Sequence, residues 1–295
     1  MGKKPDVLLA TIERLSLTNR DSADHSFQNG NRKLQDSLRI ITVFGVADIL
    51  QQHSSKTHLT EAKKLEHDPK YQTGEPVEPN HVHDGIIISP DTYRENRIPP
   101  GQSRTRKWPV LQWGPIPEVP VEEWTFEVTG LVERPLSFTW SQYRALPRVK
   151  VFSDFHCVTK WSRLGNIWEG VAVSEFVARA GVKPEAKFVI AMGNDDGWTT
   201  NMPLADFLQS DVLLADMHDG EPINFEHGGP VRLVVPQLYA WKSAKWCRSL
   251  TFLDHDQPGL WEQQGYHNHG DPWLEERFGS DQLPPGWNEE EALSI

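Results

Sequence analysis

Cysteine is nearly missing from this 295-residue chain, which has only Cys157 and Cys247. Two cysteines cannot staple a disulfide scaffold or fill a four-cysteine zinc site. Long apolar runs are missing as well. Nothing approaches the roughly 18 consecutive apolar residues of a spanning helix, so no membrane span is expected. Secretory punctuation is absent: Lys3 and Lys4 precede only Val7-Leu8-Leu9-Ala10, and no twin arginine leads an apolar run. A reducing, cytoplasmic location is therefore the expectation. Basic residues are scarce, with 30 Lys and Arg against 41 Asp and Glu. Residues 254–295 hold ten acids and a single base, Arg277, and carry nine of the eleven net negative charges. A chain without a basic face is a poor partner for nucleic acid. No P-loop, dinucleotide fingerprint or internal repeat occurs, and the glycines of Gly193–Gly197 have the wrong spacing.

What is present changes character along the chain. Residues 1–85 contain none of the 12 tryptophans and are rich in polar residues, so they read as a weakly ordered extension. Ile40–Leu50 and Glu61–Leu65 are candidate short helices within it, and Asp21–Lys33 has no structural signal. Residues 86–280 read as one domain, and 281–295 as an acidic tail.

Within the domain, Trp124–Gly130 alternates apolar and polar residues, the mark of a half-buried strand. Thr139-Trp-Ser-Gln142 is a capping-box pattern opening a short helix. Further strands are expected at Val149–Phe152, Lys187–Met192, Val212–Met217, Val231–Val235 and Ser249–Leu253. Short helices are expected at Ser174–Ala180, stopped by Gly181, and at Pro203–Leu208. Asp219-Gly220 is a hairpin turn signal. Strands outnumber helices with no βαβ rhythm, which predicts an α+β fold with mixed sheets.

Three segments carry candidate chemistry. In Phe155-His156-Cys157-Val158-Thr159-Lys160-Trp161-Ser162 a strand runs into a thiol beside His156 and Lys160, where a thiolate is favoured. Such a thiolate attacks a substrate or binds a soft metal. Equally, it is a buried inert cysteine. Adjacent side chains on a strand face opposite ways, so His156 is badly placed to act as a base for Cys157. In the second segment, His227-Gly228-Gly229-Pro230-Val231-Arg232 and Tyr239-Ala240-Trp241-Lys242-Ser243-Ala244-Lys245-Trp246 gather cations with Gly and Pro. This is the composition of an anion clamp, or of a solvated turn. The third, Pro99–Gln102 with Trp108–Gly114, offers rigid and aromatic walls for a planar ligand, or simply a packed loop.

Taken together, these segments resemble the sulfite oxidase-type molybdopterin-binding oxidoreductases. Small bacterial sulfite-oxidase-like proteins and the catalytic subunit of methionine sulfoxide reductase are the nearest in kind. The resemblance runs from about Ile86 to Phe278. It rests on Phe155–Ser162, Trp168–Val171, His227–Pro236, Trp241–Trp246 and Gly259–Trp273. It implies a molybdenum–molybdopterin cofactor with Cys157 as metal ligand and catalytic residue. It also implies cofactor-binding roles for His156, His227, Arg232, Lys242, Ser243 and Lys245, and for Trp108, Leu111 and Gln112 along the N-terminal segment. The implied reaction moves one oxygen atom between molybdenum and a sulfur or nitrogen centre of a small substrate, and the electrons pass through a separate protein. Two departures weaken sulfite as the substrate. Lys160, Trp161 and Ser162 stand where animal and plant sulfite oxidases place arginines, and Pro258, Gly259 and Leu260 replace a tyrosine. Two other classes remain open: a thiol-nucleophile enzyme and a non-catalytic binding module. Cys247 reads as core, Asp195 and Asp196 as a turn, His267 and His269 as hydrogen-bonding surface groups, and His81 and His83 as having no specific role.

Overall fold

The alternation in Trp124–Gly130 becomes a strand whose Phe126 and Val128 are fully buried while Glu127 is exposed. It belongs to a computed structural model that describes residues 78–279, apart from 83–84, 113 and 194–196. The candidate helices before residue 78, His83, the Asp195–Asp196 turn and the tail from 281 onward lie outside the described residues.

Two mixed sheets form the described region. One contains β1 (Ile87–Ile88), β2 (Ser103–Thr105), β5 (Val149–His156), β6 (Trp161–Ala172), β9 (Leu213–His218), β10 (Glu221–Pro222) and β11 (Arg232–Val234). Its order is β1-β5-β6-β9-β10, with β2 on β6 and β11 on β9. The other contains β3 (Thr125–Gly130), β4 (Leu136–Thr139), β7 (Phe188–Met192), β8 (Thr199–Pro203) and β12 (Ser249–Leu253), in the order β4-β3-β12-β7-β8. The β1/β5, β2/β6 and β3/β12 pairs are parallel, and the remaining pairs are antiparallel. Helices are short: α1 (Trp140–Arg144), α2 (Val173–Ala180), α3 (Leu204–Phe207) and α4 (Leu260–Gln263). Helix α1 opens on the expected reciprocal capping box of Thr139 and Gln142, and α2 ends at Gly181 in the left-handed region. The α+β class with mixed sheets and short helices is thus the observed architecture.

Strand β5 extends past the expected Phe152 as far as His156, and β6, the longest strand, has no alternating pattern to announce it. The causes differ: in β6 buried and half-buried positions largely alternate, but the buried ones include Ser162, Asn166 and Gly170, which hide the pattern. From Val151 onward β5 is buried on both faces, so its polar residues are matched internally rather than by water. Ser153 Oγ accepts from Trp168 Nε1, and Asp154 pairs with Arg97 and Gly165 N. In β6, Gly170 permits a close approach to β9: a Cβ there would lie 1.9 Å from Leu214 O, beside a register shift. The Asp219-Gly220 turn joins β9 and β10 with both residues at positive φ, the backbone of a type I′ hairpin.

The two faces of β5 decide what reaches the site. Val151, Ser153, Phe155 and the following Cys157 look toward Trp168 and Arg232. Phe152, Asp154 and His156 look toward Arg97 and Trp273.

Candidate active site

Cys157 sits in the turn that carries β5 into β6. Its N–H donates to Trp161 O at 2.9 Å and its carbonyl accepts from Lys160 N at 3.1 Å. Closing this turn requires Lys160 at φ 67°, and its side chain ends up exposed. The thiol is buried and free. Thr159 Oγ1 donates to Sγ at 3.2 Å. Val158, Tyr239 and Trp241 wall it in, with Leu111, Trp161, Trp261, Tyr266 and Phe278 packed around them. The sequence expectation of a ready thiolate is corrected here. Burial raises the thiol above its ordinary value, while Thr159, Lys245 and Arg277 act against that. The cations facing Cys157 are therefore distant in sequence, and Lys160 is not among them.

Behind Cys157 lies an aromatic box around Arg232. Its guanidinium carbon is 5.2 Å from the Phe155 ring centroid, 5.4 Å from Trp108 and 5.8 Å from Trp168. Nη1 donates to His227 O at 2.7 Å and Nη2 to Ser243 O at 2.9 Å, whereas Nε has no hydrogen-bond partner. Among the described residues no carboxylate pairs with it, and burial pushes its pKa down to about 9. His227 stacks on Trp108 at 3.9 Å, with Nε2 against Trp108 O and Nδ1 against Asn224 Oδ1. Burial first, then Arg232 and Lys245, push its pKa down to about 4, although the Trp108 contact opposes this, so the ring is neutral. Lys245 Nζ donates to Leu111 O and Glu226 O, both at 2.8 Å, and so ties the 108–112 segment to the His227 turn. At Gly228, whose φ is 95°, and at Gly229 the missing Cβ admits close packing within the protein. A Cβ on Gly228 would strike Lys245, and one on Gly229 would strike Ile223 O.

Of the residues expected to hold the cofactor, the structure gathers His227, Arg232, Ser243, Lys245, Trp108 and Leu111 around this box and the Cys157 wall. Gln112 lies at the edge, its Nε2 3.5 Å from Pro115 O. Two residues sit apart from this box. Lys242 points away: its Nζ is fully buried against Glu262 Oε1 at 2.6 Å and also donates to Asn201 O and Asn268 O. His156 faces the other side of β5, its Nδ1 2.8 Å from Ser162 Oγ and its ring against Trp273. Burial holds that ring neutral, with a pKa pushed down to about 3.

Sequence reasoning missed Arg277, Tyr239 and Trp168. Arg277 is buried, donating to Val158 O at 2.9 Å and Pro100 O at 3.2 Å, with its guanidinium over the Tyr239 ring. The signal was available, since Arg277 is the lone base in an acid-rich segment. His267 and His269 are hydrogen-bonded in that same segment, with His269 between Asp206 and Glu276. Cys247 is fully buried core, as expected.

A family model described as the oxidoreductase molybdopterin binding domain matches residues 113–261. The chain belongs to that family. As a molybdopterin-domain oxidoreductase it is 47% identical over 186 residues to an uncharacterized oxidoreductase, YuiH, of Bacillus subtilis, covering 63% of this chain and 93% of that one. It is 30% identical over 152 residues to a putative protein-methionine-sulfoxide reductase subunit, YedZ1, of Azospira oryzae, covering 52% of this chain and 57% of that one. A solved sulfane dehydrogenase, SoxCD of Paracoccus pantotrophus, superposes with a TM-score of 0.45 at 22% identity, covering 86% of this chain and 60% of that one. The chain is an oxidoreductase whose cofactor is molybdenum–molybdopterin.

The residues present fit such a group. A cofactor with a soft metal at one end and a phosphate at the other needs a thiol at one end of its site and a cation at the other. Cys157 and Arg232 supply these groups: both are buried, a Cys157 thiolate favours the charged form of Arg232, and Arg232 Nε remains unpaired.

Proposed function

We propose that Cys157 supplies the protein sulfur to molybdenum, and that the chain transfers one oxygen atom to or from a small sulfur- or nitrogen-centred substrate. Arg232 carries this reading. A buried cation without a carboxylate costs several kcal/mol unless something compensates it, and a bound anion does so. Arg232 and Lys245 would hold the phosphate end, and His227 and Trp108 would line the pterin. When bound, the cofactor supplies the two-electron oxygen chemistry that side chains cannot. Cys157 would hold the metal as a thiolate, which the Thr159 hydroxyl and the charges of Lys245 and Arg277 would stabilise. Tyr239, Trp241 and Tyr266 exclude water from the sulfur. Among the described residues no cluster of three or more His, Cys, Asp or Glu side chains is arranged to hold a metal, which supports ligands donated by the pterin.

Arg277 beside Cys157 suits an oxyanion or a polarised sulfoxide oxygen, so it offsets the arginines missing after the cysteine. A relative described as a putative protein-methionine-sulfoxide reductase subunit supports the sulfoxide. A separate electron-transfer protein completes the cycle. The cytoplasmic location is part of the same proposal, supported by two free cysteines. No described helix is long and apolar enough to cross a membrane. The thiol-nucleophile reading loses ground because burial keeps the thiol protonated.

Protein from cells that supply the cofactor is expected to contain stoichiometric molybdenum. It should turn over sulfite, a sulfoxide or an N-oxide with artificial electron carriers, and Cys157→Ser should abolish that turnover. Metal-free protein from the same cells refutes the reading.

A further inference from the structure

The acid excess of the chain has a local exception beside Cys157. Residues 98–117 hold Arg104, Arg106 and Lys107 and no acid, and residues 155–168 hold Lys160 and Arg163 and no acid. Strand β2 lays the first stretch along the second, pairing Ser103 with Trp161 and Thr105 with Arg163. Arg104, Arg106 and Lys160 are exposed, and Lys107 is half-buried. Arg163 is claimed by Asp219 at 2.6 Å, whereas Arg106, Lys107 and Lys160 form no ion pair among the described residues. Next to this cationic stripe, on the side of β5 where His156 meets Trp273, runs an open groove of about 640 Å³. Arg94, Pro100, Gln102, Asp271, Trp273 and Leu274 line it. The Arg94 guanidinium lies over the Trp273 ring at 4.1 Å, and Asp271 Oδ1 accepts from Trp273 N at 2.7 Å. Those two charges offset each other, so the positive potential comes from the stripe. The lip of the groove is apolar: Leu274 and Tyr93 are 69% and 59% exposed, the most exposed large hydrophobic residues among those described.

Gln102 joins groove, stripe and site. It lines the groove, it precedes β2, and its Nε2 donates to Cys157 O at 3.0 Å. Ser103 N donates to Lys160 O at 2.8 Å, and Lys160 N to Cys157 O at 3.1 Å. The surface is therefore one hydrogen bond away from the backbone of Cys157. An apolar centre with a charged border is the anatomy of a protein interface, and an open groove suits another surface better than a small molecule.

We propose that this groove and the β2 stripe dock the separate electron-transfer protein, and that this partner presents an acidic border around an apolar centre. Electrons cross only short gaps, so the carrier needs a face next to Cys157, and this face has one. A partner of negative charge is repelled by the acid-rich remainder of the chain and drawn to the one stretch that lacks acids, which orients it before contact. The inference rests on the reading that electrons pass through a separate protein, and deepens it by naming the face and the chemistry of the partner.

Titration of the full-length protein with oxidised flavodoxin, a small acidic carrier, is the test. Its affinity should fall at least about tenfold between about 20 and about 200 mM salt, where screening shortens the reach of the stripe. Cytochrome c, a basic carrier, should not bind. Arg106→Glu, Lys107→Glu and Lys160→Glu combined should remove flavodoxin binding while leaving the melting temperature, and turnover with a small artificial carrier, at wild-type levels. Leu274→Ser should weaken binding about tenfold at both salt levels, the scale of one interface anchor. The proposal is overturned if flavodoxin does not bind the full chain, if the triple variant binds it as the wild type does, or if cytochrome c binds equally well. Binding that appears only after residues 281–295 are removed assigns the stripe to the acidic tail instead, and retention on anionic vesicles or duplex DNA in place of flavodoxin assigns it to those surfaces; either result overturns the proposal. The binding measurements need no metal. Failure of the Cys157 reading therefore looks different: the protein carries no molybdenum, and the flavodoxin titration still decides the docking face.

Discussion

Arg232 and Lys242 flank one turn of the chain, both buried, and the protein treats their charges in opposite ways. Lys242 is neutralised internally: Glu262 Oε1 lies 2.6 Å away, and Asn201 and Asn268 carbonyls take its remaining protons. Arg232 is given three aromatic faces and two carbonyls but no counter-charge. Elsewhere the protein does supply one, since Arg97 pairs with Asp154, and Arg144 and Arg148 both pair with Asp216. Internal pairing makes structure, whereas a cation buried without a partner makes a binding site. Lys242, Asn201, Asn268 and Asp256 form one hub joining β8 to the chain beyond β12, and that chain brings Trp261, Tyr266 and Arg277 to Cys157. Lys242 therefore holds the wall of the site, and Arg232 is the cation that the proposed function assigns to the ligand.

The largest expected effect comes from the paired cation. Lys242→Met strands the Glu262 carboxylate in the interior and should destabilise the protein by about 3–5 kcal/mol, read from the denaturant midpoint. Adding Glu262→Gln removes the stranded charge while keeping an acceptor for Trp241 and Thr200, and should recover more than half of the loss. If Lys242→Met instead unfolds normally and purifies without pterin, the contrast collapses and Lys242 rejoins the clamp. Arg232→Met should behave in the reverse manner. The cofactor-free protein should be as stable as wild type or more so, because an uncompensated buried charge is gone. Pterin content should fall tenfold or more, in keeping with the roughly 1.5–3 kcal/mol of a charge-assisted hydrogen bond. Equal destabilisation in the two variants would mean that Arg232 is structural as well.

The same contrast explains what could be read from the residues alone. Arg232 and Lys242 look alike in sequence, two cations near a Gly-Gly-Pro run, and nothing local says which one Glu262 will claim. The partner choice is made by α4 and β8 packing together, a long-range event. Strands with one wet face, such as β3, were legible because their alternation records the two environments. Strand β5 was harder because burial on both faces erases the alternation, and β6 because buried Ser162, Asn166 and Gly170 hide its alternation from the residue types. Cys157 was legible as a reactive candidate from its position after a strand. Its true electrostatic neighbours, Lys245 and Arg277, come from segments 88 and 120 residues away along the chain. Tyr239 stood within the second segment but was assigned no role, because a tyrosine among apolar residues looks like core.

The smallest effect tests the far end of the same segment, where a charge is paired at the surface rather than in the interior. His269 Nδ1 lies 2.8 Å from Glu276 Oε2 and Nε2 lies 3.1 Å from Asp206 Oδ2, so the ring bridges α3 and the chain before Arg277. The Asp206 hydrogen bond chiefly, with Glu276, lifts its pKa to about 9 against the pull of burial. A folded-state pKa above the unfolded value of roughly 6.5 means that the folded protein binds the extra proton. The stabilisation is fully present below about pH 6.5 and fades as pH rises through about 9. The side chain is 37% exposed, so screening holds the contribution to about 1 kcal/mol or less. The melting temperature should therefore decline modestly between pH 6.5 and 9.5, and His269→Gln should lessen that decline. Because the bridge fastens the segment that carries Arg277, it should also loosen the Cys157 wall slightly at alkaline pH. An unchanged slope in the variant would separate this surface bridge from the buried hub, leaving Lys242 and its neighbours as the fastening that matters.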